Sequence, residues 1–304
     1  MNDTAQLPKI VNVASVPQRS PFRYPGGKTW LVPYLRAWLR GCGIRPARFI
    51  EPFVGGGIIS LTVAFERLAE LVEMVELDED VAAVWENIIS GDIDWLLHRI
   101  RNFDVTVENV RAELQIPCDS IRQQAFNTIL RNRTFHGGIL AHGSGLLKNG
   151  ENGKGIRSRW YPETLCQRIT AIGEVRRRIK FTKGDGLTYL RESLDDPSAV
   201  FFIDPPYTAG GKGKRAGRRL YTHNDLDHEE LFDLTEKIKG DFLMTYDNDP
   251  EVLEMALLRN FDTQVVPMKN THNAEMVELL IGRNLSWARA LLENKRERSL
   301  FDMA

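Results

Sequence analysis

Val200-Phe201-Phe202-Ile203-Asp204-Pro205-Pro206-Tyr207 is the stretch on which the fold turns. Its first four residues are apolar and strand-forming. Continuous apolar runs of this length belong to strands buried on both faces of a parallel sheet. Pro205 and Pro206 cannot donate to a sheet ladder, so the strand stops there. Asp204 therefore stands at the carboxyl end of a central strand, where open α/β sheets bind their ligands. Each proline has a fixed φ and leaves a carbonyl acceptor free. The residues after the strand form a rigid ledge of one carboxylate, one carbonyl and one aromatic ring. Such a ledge suits a planar amino group, with both hydrogens accepted while the ring stacks. A plain Asp-Pro turn would look the same in isolation, so the neighbouring segments decide.

Working outward, residues 47–53 form a short apolar strand, and Gly55-Gly56-Gly57 follows it. Helix is expected over 58–70, strand over 71–77 and helix over 79–90. Upstream, Leu31, Tyr34, Leu35, Trp38 and Leu39 repeat at helical spacing, and residues 1–20 show no pattern. From 91 to 178 the periodicities are helical, broken by loops such as Asn149-Gly150-Glu151-Asn152-Gly153-Lys154-Gly155. The α/β pattern resumes with a strand at 179–182. Beyond the 200–204 strand come helix 226–239, strand 242–246 and helix 251–259. Two late strands, 264–268 and 275–281, are expected as an antiparallel edge pair. The expected fold is α/β, a doubly wound Rossmann-like sheet. Residues 21–90 and 179–304 build the sheet domain, 91–178 form an inserted, mostly helical subdomain, and 1–20 are an extension.

Composition narrows the class. The chain has 304 residues, 42% hydrophobic and 27% charged, as in soluble globular proteins. No apolar run approaches the roughly 20 residues of a membrane span. The start, MNDTAQLPKI, has no signal-peptide pattern, and three scattered cysteines fit a reducing cytoplasm and no zinc motif. Net charge is −1, but thirteen Lys/Arg face three Asp/Glu between Ile121 and Lys183. A second cluster, Lys212, Lys214, Arg215, Arg218 and Arg219, has no acid between Thr208 and Thr222. Basic segments on an otherwise acidic chain suit a phosphate backbone.

Four further constellations bear on chemistry. The glycines at 55–57 allow a ligand to lie against the backbone, beside a helix N-terminus that favours negative charge. Their spacing is not the dinucleotide G-x-G-x-x-G, which excludes a nicotinamide dehydrogenase. Glu76, ending the second strand, can accept ribose hydroxyls. Asp78 reads equally well as a helix cap. Arg23-Tyr24-Pro25-Gly26-Gly27-Lys28 precedes the first helix without Walker spacing, and its lysine can hold a carboxylate. Asp185, between Gly184 and Gly186, lies on the same rim as Glu76 and Asp204.

These residues resemble the Dam-like DNA adenine methyltransferases over about residues 21–284. RYPGGK looks like the family's N-terminal motif, EPFVGGG its cofactor loop and DPPY its catalytic motif, in the family's order. FLMTYDN and AEMVELLIGRN resemble its last two strands. The resemblance implies S-adenosylmethionine as cofactor and no metal. Tyr24, Lys28, Phe53, Gly55, Gly56, Gly57, Glu76 and Asp204 would hold the cofactor. Asp185 would contact the adenine or its neighbourhood within that site. Asp204, Pro205 and Tyr207 would be catalytic: Asp204 and the Pro205 carbonyl accept the two amine hydrogens, and Tyr207 stacks on a flipped adenine. Arg131 and Arg133 of the insert, with Lys212, Lys214, Arg215, Arg218 and Arg219, would bind DNA. The implied partners are double-stranded DNA and a cognate restriction endonuclease, with no membrane partner. The expected state is a monomer or weak dimer, cytoplasmic, encoded by a bacterium or phage. Competing readings are an RNA or protein-amide methyltransferase and an inactive DNA-binding regulator on the same fold.

Overall fold

The computed structural model describes residues 13–23, 26–41, 45–140, 144–150, 153–206, 226–269 and 275–301. Seven strands form one sheet: β1 Arg48–Glu51, β2 Leu71–Glu76, β3 Ile179–Lys183, β4 Ala199–Ile203, β5 Asp241–Asp247, β6 Asp262–Lys269 and β7 Glu275–Gly282. Their order is β3-β2-β1-β4-β5-β7-β6. The first five are parallel, whereas β7 runs antiparallel to both β5 and β6. The order reverses between β1 and β4, which makes their carboxyl ends the topological switch point of a doubly wound Rossmann-like sheet. The late antiparallel pair forms as expected. β6 is the outer edge strand, and its Pro267 falls where a missing N–H is tolerated.

The buried strand β4 explains why the sheet is covered on both faces. Val200 and Phe202 join the apolar cluster on one face, and Phe201 and Ile203 join the cluster on the other. On the second face lie α8 Gly186–Ser193, α9 His228–Lys237 and α10 Pro250–Leu258. On the first lie α1 Val32–Gly41, α2 Ile58–Glu66, α3 Glu79–Ser90 and the C-terminal α11 Ser286–Phe301. The helix expected over 58–70 is shorter than its pattern, because Arg67 turns left-handed (φ 55) and ends it.

Between 91 and 178 run α4 Ile93–Asn102, α5 Val107–Gln115, α6 Ile121–Thr134 and α7 Pro162–Val175. Side-chain oxygens of Asp92, Thr106 and Ser120 cap the first three, as short polar residues at N-caps do. Leu96, Phe126, Leu165 and Ile169 from these helices belong to the same cluster as Phe49 and Val72 of the sheet. Helices α4, α6 and α7 thus share a core with the sheet. This packing brings α6 and α7 to the switch point. No described helix is long and apolar enough to cross a membrane.

Candidate active site at the sheet's switch point

A cavity of about 750 Å³ opens at the carboxyl ends of β1 and β4. The N-terminal segment, the glycine loop after β1, and parts of α6 and α7 line it, and Asp204 reaches it from the end of β4.

The glycine loop is held from beneath. Gly55 and Gly57 have positive φ (43° and 64°), which L side chains rarely adopt. The Glu76 carboxylate at the end of β2 accepts from Gly55 N at 2.8 Å and from Asp78 N at 2.9 Å. Trp85 of α3 donates its indole N–H to Gly55 O at 2.9 Å. Ser20 donates to Gly56 O and ties the N-terminal segment to the loop. Burial pushes the Glu76 carboxyl up to about 7, against the backbone donors that favour its charge. Glu51, the last residue of β1, lines the cavity and accepts from Ser60 N at 2.9 Å in the first turn of α2. Burial pushes it up to about 8.

Asp204 sits in a built environment. Its Oδ1 lies 3.0 Å from Lys28 Nζ and accepts from Thr245 Oγ1 of β5 at 2.9 Å. Lys28 Nζ also lies 2.9 Å from Glu278 Oε1 of β7 and donates to Gly26 O at 3.2 Å. Lys28 and Glu278 are both buried. Burial works against the ammonium charge, but the Asp204 and Glu278 carboxylates outweigh it and raise the amine above its ordinary value. The lysine anticipated to hold a carboxylate therefore holds two carboxylates of its own chain.

Of the residues singled out in the sequence, Lys28, Phe53, Gly55, Gly56, Gly57 and Asp204 line the cavity together. Glu76 stands behind it, bonded to the loop. Pro205, the second residue after β4, is buried. Three placements differ from expectation. Asp185 is exposed and caps α8, accepting from Thr188 N and Oγ1 at 2.8 Å, and it does not line the cavity. A helix that starts one residue after a strand-end aspartate takes that carboxylate as its cap. Arg131 pairs with Asp80 at 2.5 Å and donates to Leu140 O, so its guanidinium is occupied within the fold. Arg133 is buried and lines the cavity instead of an outer face. Asp78 takes the cap role, accepting from Asp80 N and Val81 N. Tyr24, Tyr207, Lys212, Lys214, Arg215, Arg218 and Arg219 lie outside the described residues.

Several residues here escaped the sequence reading. Thr245 and Glu278 sit on strands whose neighbours are apolar, and an acid in a buried strand signals a cationic partner. Asn132 of α6 accepts from Arg23 N and donates to Arg23 O and Gly138 O, all at 2.9 Å, and so fixes the N-terminal segment over α6. Arg168 of α7 lines the cavity and donates to Ser20 O at 3.0 Å.

No family model matches the chain, and no curated protein does. Solved structures share its general shape. One is a Pyrococcus horikoshii protein assigned to the RNA methyltransferases, at 10% identity and TM-score 0.42 over 89% of this chain and 92% of that one. A Thermoplasma acidophilum protein matches at 10% and 0.38, over 90% and 94%. A geranyl diphosphate methyltransferase, solved in complex with GPP and sinefungin, matches at 10% and 0.37, over 91% and 87%.

Proposed function

We propose that this protein is an S-adenosylmethionine-dependent methyltransferase that modifies the exocyclic amine of adenine in DNA. One observation carries the reading. A strand-end aspartate followed by two prolines shares a single cavity with a glycine loop at the switch point of a doubly wound sheet. The first feature suits a planar amine and the second a nucleoside laid against backbone. The ordered motifs RYPGGK, EPFVGGG and DPPY support the assignment to the Dam-like class.

The residues present suit the cofactor. The cavity falls within the roughly 300–1,000 Å³ of small-molecule sites. Gly55 to Gly57 offer backbone without side chains. Glu76, which accepts from Gly55 N and Asp78 N beneath the loop, is the strand-end acid that a ribose hydroxyl would meet. When bound, the cofactor supplies an electrophilic methyl group. The chain's own work concerns the amine. Adenine's amino lone pair is delocalised into the ring. Asp204 accepting one hydrogen and the Pro205 carbonyl the other would localise it as positive charge develops on nitrogen. Lys28 pairs with the Asp204 carboxylate, and Thr245 fixes its orientation. Segment 91–178 serves as the target-recognition region in this reading, with duplex DNA as partner.

Incubation with labelled cofactor and either duplex DNA or structured RNA tests the assignment. Label should enter adenine of DNA. Asp204→Ala should keep DNA binding while transfer collapses. Label in RNA alone, or near-normal transfer by Asp204→Ala, refutes it.

A further inference from the structure

The same cavity holds positive charge that the reaction at Asp204 does not use. Arg133 on α6 is 4% exposed, and Arg168 on α7 is partly exposed, and both line the cavity. Among the described residues no carboxylate pairs with either. Their bonds go to neutral backbone: Arg133 donates to Pro21 O, and Arg168 Nη1 donates to Ser20 O at 3.0 Å. Arg133 Nε is buried with no hydrogen-bond partner. Arg23 and Arg159 add to the same field. Burial, together with the charges of Arg168, Arg23 and Arg159, pulls the Arg133 guanidinium down to about 9. A buried cation surrounded by like charge is costly unless an anion joins it.

The start of α7 adds to this. The helix is 14 residues long and begins at Pro162 with no side-chain cap, and its N-cap residue Tyr161 lines the cavity with Thr164 and Leu165 of the first turn. Uncapped first-turn N–H groups and the helix dipole favour an anion there. Two guanidinium groups from different helices and a helix N-terminus line the same cavity. A tetrahedral phosphate meets such donors better than a planar carboxylate, whose two oxygens suit one fork.

We infer that the Arg133–Arg168 end of the cavity is a phosphate subsite, which holds the phosphate of the nucleotide whose adenine reaches Asp204. The inference rests on the proposed reading of the Asp204 site and deepens it. The target enters the cavity as a nucleotide, gripped at both ends: amine at Asp204, phosphate at the arginines. Arg133 thereby acts inside the pocket and not on the outer DNA backbone.

The test is calorimetric titration of the full chain, saturated with S-adenosylhomocysteine, with deoxyadenosine monophosphate and with deoxyadenosine. The nucleotide should bind at least about tenfold more tightly, as charge-assisted bonds to phosphate imply. Arg168→Gln should abolish that preference and leave deoxyadenosine and S-adenosylhomocysteine affinities unchanged, and Arg168→Lys should restore part of it. Arg168 is preferred to Arg133 because its partial exposure lets the variant fold. Equal binding of the two ligands, or binding of neither, overturns the inference. So does a loss of S-adenosylhomocysteine affinity in Arg168→Gln, which would assign the arginines to the cofactor's carboxylate. If the wild-type chain fails to bind S-adenosylhomocysteine, the methyltransferase reading falls. A surviving preference for the monophosphate would then keep the subsite standing without it.

Discussion

Gly57→Ala should destabilise the protein by more than backbone strain alone can explain. Gly57 has φ 64, and a left-handed conformation costs an L residue about 1–2 kcal/mol. A methyl group built there would also lie 2.7 Å from Trp85 Cζ2 and 3.0 Å from Cη2. Trp85 cannot retreat easily. It is fully buried, and its indole N–H is bonded to Gly55 O. Overpacking of this kind costs about 1–3 kcal/mol. The expected total is about 2–5 kcal/mol, a large share of the roughly 5–15 kcal/mol that domains possess. Gly153→Ala is the matched control. Gly153 has a similar φ of 69, and nothing lies within 4 Å of its added methyl. Its cost should be the strain alone, about 1–2 kcal/mol. Urea denaturation of both variants measures the difference. Repeating Gly57→Ala in a Trp85→Phe background, where the clashing ring atoms are gone, should shrink its penalty. Equal costs for Gly57→Ala and Gly153→Ala would show that the loop does not rest on Trp85 as described.

Lys28→Met should cost about 3–5 kcal/mol at neutral pH, because it leaves the carboxylates of Asp204 and Glu278 without the cation between them. Urea denaturation measures it, and a cost below about 1 kcal/mol, that of an exposed ion pair, contradicts the pairing. The native Glu51 carboxyl is held near 8 against an ordinary 4.5, so between those values the folded state keeps a proton that the unfolded chain has lost. Stability should therefore fall as pH rises from about 5 to 8. Glu51→Gln should flatten that slope, with Glu76 supplying a remainder of the same sign, and an unaltered slope in denaturant midpoints refutes it. Thr245→Val removes the hydroxyl that orients Asp204 and should slow methyl transfer by about five- to tenfold, the kinetic equivalent of a hydrogen bond of about 1–1.4 kcal/mol. S-adenosylhomocysteine affinity should stay unchanged, and a wild-type transfer rate in a single-turnover assay would remove Thr245 from the site.

The sheet was readable because its signals are local. Val200 to Ile203 is apolar without interruption, and two prolines mark its end, so both the strand and the position of Asp204 follow from adjacent residues. The apolar runs Val265-Val266 and Leu279-Leu280-Ile281 likewise mark the late pair. What escaped depends on contacts between distant segments. Nothing near Lys28 says that its partner is Glu278, since β7 slots between β5 and β6 only in three dimensions. Glu76 was legible as a strand-end acid, but which backbone N–H groups it meets depends on the path of the glycine loop. Arg131 and Arg133 read alike as basic residues two apart on one helix. That spacing places them on different sides of α6, and only the packing tells which side faces Asp80 and which the cavity. Asp185 misled because a strand-end acid serves a ligand and a helix cap with the same chemistry.

The ion cluster around Lys28 also sets an order of events during synthesis. Glu278 leaves the ribosome long after Lys28. At about 5–20 residues per second the two are separated by on the order of ten seconds or more. Through that interval a chain that has made Asp204 lacks the β7 acid that completes the charge balance around the lysine. The reactive corner of the molecule is thus complete only once β7 has emerged, and a product cut short before β7 would carry RYPGGK, EPFVGGG and DPPY without being able to assemble the site.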